Sequence, residues 1–232
     1  MTAHFRHSAI NEGTLHKGNH EAGPPLHRHK HGFYRVAGKM MFDWFLVLAS
    51  LPVVVPLVVI LALLVALDGS SPFYRQSRVG RNGKVFRLLK IRTMVPDAEH
   101  ILQDYLEQHP KARDEWEHKQ KLHYDPRITW LGGFLRKASI DELPQLWNVL
   151  CGDMSLIGPR PILLEQRSRY PGSAYYHMRP GITGLWQVSD RNESSFIKRA
   201  EFDTDYYYNL SLKMDLSIFV RTISAVLRAT GR

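Results

Sequence analysis

Two adjacent carboxylates, Asp141 and Glu142, sit in the string Ser139-Ile140-Asp141-Glu142-Leu143-Pro144 just ahead of an apolar run. Ser139 with Glu142 three residues later fits a capping box, a purely structural reason for the pattern. A second register makes Asp141 the N-cap and puts Pro144 in the first turn, where its missing N–H does no harm. Either register places Asp141 at the positive end of a helix, where a carboxylate is favoured and free N–H groups can hold phosphate oxygens. Adjacent helical residues diverge by about 100° at ~3.6 residues per turn, so the two acids can serve different atoms. One can attack phosphorus while the other holds a metal.

Those residues need a platform, and the sequence before them predicts one at a membrane. The run WFLVLASLPVVVPLVVILALLVAL from Trp44 to Leu67 carries no charge and lies between Asp43 and Asp68. As one helix it would reach about 36 Å, enough to cross a hydrocarbon core of about 30 Å. Pro52 and Pro56 near its middle predict a kink or break. Lys30, Arg35 and Lys39 precede the run, and Arg75, Arg78, Arg81, Lys84, Arg87, Lys90 and Arg92 follow it, so both ends prefer the cytoplasm. A helix broken at the prolines, entering and leaving by one leaflet, satisfies both observations; a tilted span with a basic cytoplasmic end is the alternative.

After the run, PFYRQSRVGRNGKVFRLLKIRTM reads as two strands around Arg81-Asn82-Gly83, since Asn-Gly supplies positive φ angles for a tight turn. Its basic residues either face lipid headgroups or, as with Lys90 and Arg92, receive a substrate's phosphates. Residues 97–122 read as exposed helix interrupted at Pro110. ITWLGGFLRKASIDELPQLWNVL gives two short amphipathic helices, and GDMSLIGPRP and RPGITGLWQVSDRN read as irregular loops. The segment Phe202 to Leu227 carries a helical apolar face that packs on the core or lies along the bilayer interface.

The fold class expected is α+β, mainly helical and membrane-associated, with one proline-broken re-entrant helix, a small β-hairpin and amphipathic interfacial helices. Residues 1–32, with seven histidines and little apolar sequence, are read as a disordered tail; 33–68 form the membrane helix; 69–232 form a cytosolic catalytic domain. No small-residue cleavage site follows the apolar run, so no signal peptide is expected. The lone Cys151 excludes an internal disulfide and a thiolate zinc site. A net charge of +9 calls for an anionic partner. Nucleic acid is not the expected one, because the basic residues cluster directly after the apolar run instead of lining an exposed face with stacking aromatics.

Taken in order, Asp43, Pro56, FYRQSRVGRNGKVFRLLKIRTM, LRKASIDELPQLWNVLCGDMSLIGPRP, RPGITGLWQVSDRN and FDTDYYYNLSLKMDL resemble the bacterial sugar transferase family of monotopic polyprenyl-phosphate phosphoglycosyl transferases. DELPQL followed by GPRP is the most specific part. The resemblance implies a hexose-1-phosphate transferase of the short, exopolysaccharide-priming type. Its partners would be a UDP-sugar, undecaprenyl phosphate and membrane lipid at the cytoplasmic face of the bacterial inner membrane, with a homodimer left open. It further implies Asp141 as nucleophile, Glu142 as ligand of a catalytic Mg2+, and Pro56 as the helix break. Arg160 in GPRP becomes the leading phosphate clamp, because guanidinium binds phosphate bidentately; the structural alternative is an Arg in a surface turn. Arg179, Gln187 and Arg191 fall in a block near the implied substrate pocket. Asp190 departs from the family, which more often has glycine there. Two rivals remain: a non-catalytic membrane scaffold, and direct transfer with Asp141 binding metal only.

Overall fold

The computed structural model describes residues 32–119, 122–189 and 196–227. The histidine-rich tail, Asp190 and Arg191 lie outside the described residues. The chain is mainly helical with a small antiparallel hairpin, in line with the expected class.

A π-helical turn, Tyr34–Gly38, leads into helix α1, Lys39–Val65. With its end turns this helix is long and apolar enough to cross a membrane. The break expected at Pro52 or Pro56 is not present as a gap: helical backbone runs through both prolines. Each proline removes one donor, leaving the rest of the ladder in place. Nearby, the Ser50 hydroxyl donates to the Val47 carbonyl at 2.7 Å.

One face of α1 packs on the rest of the protein. Val47 and Leu51 join Phe86, Leu88, Val149 and Met154 in one apolar cluster, while Leu61 and Val65 join Ile91, Leu135 and Ile140 in another. Both ends are also tied by polar contacts. Lys39 pairs with buried Asp215 at 2.7 Å, and that carboxylate also accepts from Tyr34 and Tyr206. Asp43, fully buried, accepts from the Ser155 hydroxyl and the Leu156 N–H. At the far end Asp68 pairs with Arg92. The remaining surface of α1, including Phe45, Leu48, Val53, Val59, Ile60 and Leu63, is exposed.

The hairpin forms as predicted. Strand β1, Phe73–Val79, pairs antiparallel with β2, Val85–Ile91, and the turn places Asn82 at φ 57° and Gly83 at φ 74°. Helices α2, Ala98–Gln108, and α3, Pro110–Lys119, flank the expected interruption. They are followed by α4, Trp130–Lys137, a 3-10 turn at Ile140–Glu142, and α5, Gln145–Leu150.

The two segments read as irregular loops contain paired strands. β3, Ser155–Ile157, lies parallel to β4, Gly181–Thr183. The glycines of GPRP and RPGITG make this pairing close: a Cβ on Gly181 would sit 2.1 Å from the Gly158 nitrogen, and one on Gly158 would sit 2.5 Å from the Arg179 carbonyl. Loops between these strands and beyond carry 3-10 turns at Leu164–Arg169 and Ala174–His177. Helix α6, Leu185–Ser189, precedes α7, Phe196–Asn209, and α8, Leu212–Leu227. The apolar face expected across Phe202 to Leu227 is therefore split at Leu210-Ser211. Tyr206 and Ile218 enter the core, whereas Leu216, Val220 and Ile223 remain exposed.

Candidate active site

Lys90 is the centre of the site. Positions 86, 88 and 90 of β2 alternate onto one face of the hairpin, where Phe86 and Leu88 are buried and Lys90 is partly covered. Its Nζ lies 2.7 Å from Glu142 Oε1 and 3.8 Å from Asp141 Oδ2. The capping box does not form: Ser139 adopts φ 57° and makes no capping hydrogen bond, and Glu142 turns to Lys90 instead. Neither is Asp141 an N-cap, because α5 begins after Pro144. It sits in the 3-10 turn immediately before that helix.

A side chain on α5 fixes this turn against the hairpin. Asn148 Oδ1 accepts from the Leu89 N–H at 3.1 Å, and its Nδ2 donates to the Arg87 carbonyl at 2.9 Å. Its amide thus imitates a strand partner on the free side of β2, next to Lys90. Sequence reasoning missed this residue; an Asn one turn into an otherwise apolar helix was the available signal.

Asp141 is only 7% exposed. Burial pushes its carboxyl above the usual range, Lys90 opposes that shift, Glu142 adds to it, and Arg136 opposes it. The Arg136 guanidinium is itself oriented by a 2.7 Å hydrogen bond from Nε to Thr93 Oγ1. The result is a desolvated carboxylate with cations beside it, the environment expected of a functional acid.

Glu142 opens onto a small cleft lined in part by Arg78, Lys90, Gln145 and Arg160, and Asp141 lies behind it beside Lys90. Arg160 reaches it from the loop after β3. That loop is pinned by the Gly158 N–H to the Thr183 carbonyl, the Gly181 N–H to the Pro159 carbonyl, and the Val79 N–H to the Ile162 carbonyl. Arg199 also donates to the Arg160 carbonyl and stacks on Trp186. Arg160 is exposed, and among the described residues its guanidinium forms no ion pair. Replacing it by Lys keeps the charge but loses the planar fork, so turnover is expected to fall about ten-fold or more. Steady-state kinetics check this; near-normal rates would reduce Arg160 to a structural residue.

The structure brings Asp141 and Glu142 to Lys90 and places Arg160 on the same cleft as Lys90 and Glu142, whereas Arg92, Arg179 and Gln187 stand apart from them. Arg92 is a staple: Nε donates to the Ser71 carbonyl, Nη1 to Met94, and Nη2 to Val65 and Asp68. Its donors serve the end of α1 and the edge of the hairpin, which leaves it unsuited to hold phosphate. Arg179 is half-buried, and Asp43 is the group that favours its charge, on the α1 side of the domain. Gln187 is 6% exposed and donates to the Ile182 carbonyl, steadying the backbone at the cleft wall.

Mg2+ can be tested against this donor set. Among the described residues no three His, Cys, Asp or Glu side chains cluster as a metal site. Asp141 and Glu142 supply carboxylate oxygens, which suits a hard cation that takes one or two carboxylates and fills its shell with water and phosphate oxygens.

Comparison with known proteins agrees with the geometry. The family model described as bacterial sugar transferase matches residues 34–229. The chain is 47% identical over 195 residues to the UDP-galactose-lipid carrier transferase of Erwinia amylovora, covering 83% of this chain and 41% of that protein. It is 45% identical over 195 residues to the undecaprenyl-phosphate galactose phosphotransferase of Salmonella typhimurium, covering 83% and 41%. It is 43% identical over 196 residues to the exopolysaccharide production protein ExoY of Rhizobium meliloti, covering 83% and 87%. The chain thus spans about two-fifths of the Erwinia and Salmonella proteins and most of ExoY. With its carboxylate pair, its basic cleft and its membrane-length helix inside the matched region, the chain belongs to the bacterial sugar transferase family.

Proposed function

We propose that the protein transfers a hexose-1-phosphate from a UDP-sugar to undecaprenyl phosphate, releasing UMP, as the first membrane step of exopolysaccharide or related glycoconjugate synthesis. The observation that carries this reading is the buried Asp141 carboxylate held beside Lys90, which itself lines a cleft with two further cations, Arg78 and Arg160. The relatives' names supply the acceptor and, for galactose, the sugar to test first.

The chemistry follows in two displacements. An Asp141 carboxylate oxygen attacks the sugar-bearing phosphorus of the donor, and the bond from that phosphorus to the bridging oxygen breaks. UMP departs with the electron pair. A phosphate oxygen of the lipid then attacks the same phosphorus, and the Asp141–phosphorus bond breaks to restore the carboxylate. Lys90 neutralises charge near both carboxylates, and Arg160 holds phosphate oxygens. Glu142, with Asp141 nearby, would hold Mg2+, which when bound supplies further charge neutralisation on the diphosphate.

The membrane arrangement is read from α1. Both of its ends are tied to the same catalytic body, while the face turned away is apolar and exposed. A helix crossing the bilayer would carry one of these polar anchors to the far side. A re-entrant or interfacial placement at the cytoplasmic face of the inner membrane keeps both with the body. Exposed Trp130, Phe134, Trp147, Leu216 and Val220 suit contact with the same surface. Cysteines introduced at Phe33 and Ser71, with Cys151 changed to Ser, are expected to react with impermeant reagent from the same side. Opposite sidedness would sink the re-entrant placement and leave the chemistry standing.

The functional reading is tested by presenting a panel of UDP-sugars with undecaprenyl phosphate and measuring UMP release. Release dependent on one donor, with lipid-linked sugar diphosphate formed, is expected. No UMP with any donor would favour the scaffold reading.

A further inference from the structure

We propose that Arg78 is a second phosphate-binding guanidinium, which together with Arg160 grips the departing nucleoside monophosphate of the donor. This rests on the transferase reading and adds a subsite to it.

The register of the hairpin puts Arg78 opposite Phe86, so it shares the hairpin face that carries Leu88 and Lys90. Four residues along β2 separate Phe86 from Lys90, about 13 Å at ~3.3 Å per residue. Arg78 and Lys90 therefore line the same cleft from points well apart on it. Arg78 is fastened next to Arg160: its Nη1 donates to the Pro161 carbonyl at 3.2 Å. Its other partner is also neutral, with Nη2 donating to Gln76 Oε1 at 2.6 Å. Buried Nε has no hydrogen-bond partner, and among the described residues no carboxylate pairs with this guanidinium.

A partly desolvated cation with neutral partners and a second guanidinium beside it is costly unless an anion arrives. Burial weakens its hold on the proton, and the charge of Arg160 adds to that. Both penalties fall when a phosphate dianion binds between the two. The reaction geometry says which phosphate this is. Attack from Asp141 places the leaving oxygen roughly in line on the side of phosphorus away from the nucleophile. Lys90 marks the nucleophile's end of the cleft, so Arg78 and Arg160 lie where the leaving phosphate goes. The same phosphate chemistry belongs to the lipid acceptor, and the experiment separates the two sources.

The full chain in nanodiscs is compared as wild type, Arg78→Gln and Arg78→Lys. Gln removes the charge but ends near the position of Nε, short of the Pro161 carbonyl, whereas Lys keeps a cation that can approach it, so the pair of variants together with melting temperature separates charge from the hairpin contact. Inhibition by UMP, the rate of UMP release without lipid, and the rate at which undecaprenyl phosphate discharges preloaded enzyme are measured separately. UMP inhibition is expected to weaken about ten- to hundred-fold in Arg78→Gln and less in Arg78→Lys, with slowed UMP release, a flatter dependence on ionic strength and an unchanged discharge rate. Unchanged UMP inhibition, even with a lowered melting temperature, would reduce Arg78 to a hairpin staple and overturn the proposal. A defect confined to discharge would overturn it by assigning Arg78 to the lipid phosphate. Wild-type enzyme that neither releases nor is inhibited by UMP would remove the transferase reading itself.

Discussion

Asp141→Asn is expected to lower turnover at least about 10⁴-fold while leaving the fold intact, because it removes the proposed nucleophile but keeps the side chain's size. Stability has a definite sign. The folded carboxyl sits above its ordinary range because of burial, so at neutral pH its ionised form costs folding free energy. That cost disappears as pH falls through the raised value, and the neutral amide removes it at every pH. The variant should melt at or above the wild-type temperature at pH 7 while being inactive. Intact-protein mass spectrometry after incubation with donor alone should find a hexose-phosphate adduct on the wild type and none on Asp141→Asn. Turnover within about ten-fold of wild type, or UMP release only in the presence of lipid, would transfer Asp141 to the metal-binding role of a direct-transfer mechanism.

Lys90→Met has the second large expected effect, about 10²- to 10³-fold on kcat. The ammonium lies between two carboxylates, 2.7 Å from Glu142 and 3.8 Å from Asp141. It is the strongest influence holding the Asp141 pKa down against burial and against the charge of Glu142. Without it the Asp141 pKa rises further, and this carboxylate protonates at higher pH. The acid limb of the pH–rate profile should therefore move upward, and activity should recover in part on the alkaline side. Lys90→Arg keeps the charge and should return the acid limb toward wild type. An acid limb that stays in place in Lys90→Met would show that Lys90 does not set the ionisation of Asp141.

The parts of this structure legible in the sequence are those whose causes are local. Asn82-Gly83 carries its own turn chemistry, and the hairpin follows from it. Pro110 starts a helix and ends the one before. Asp141 and Glu142 were recognisable as an acidic pair at a helix entrance, although the capping box that accounted for them is absent. Ser139 adopts a left-handed conformation instead. Local pattern is insufficient where a long-range partner decides. Arg92 and Lys90 look alike in sequence, two residues apart in one basic stretch. Even spacing puts both on one strand face in principle, but Arg92 lies past the end of β2 and meets the Val65 carbonyl at the carboxyl end of α1, while Lys90 meets the acids. Arg78 was visible only as one charge among many. The alternation that aligns it with Lys90 needs the register as well as the period.

The buried carboxylate of Asp215 sets the order in which the molecule can be completed. It accepts hydrogen bonds from Tyr34 and Lys39, 181 and 176 residues earlier, and from Tyr206 on the preceding helix. α1 leaves the ribosome long before α8 exists, so the apolar helix forms with its amino-terminal cation still unmatched. Its attachment to the enzyme closes a very long loop late in synthesis, with an entropic cost that grows only slowly with that length. A nascent chain stalled before residue 215 would hold the long apolar helix and the acidic pair, yet lack the lock that fixes the amino-terminal end of that helix to the rest of the enzyme.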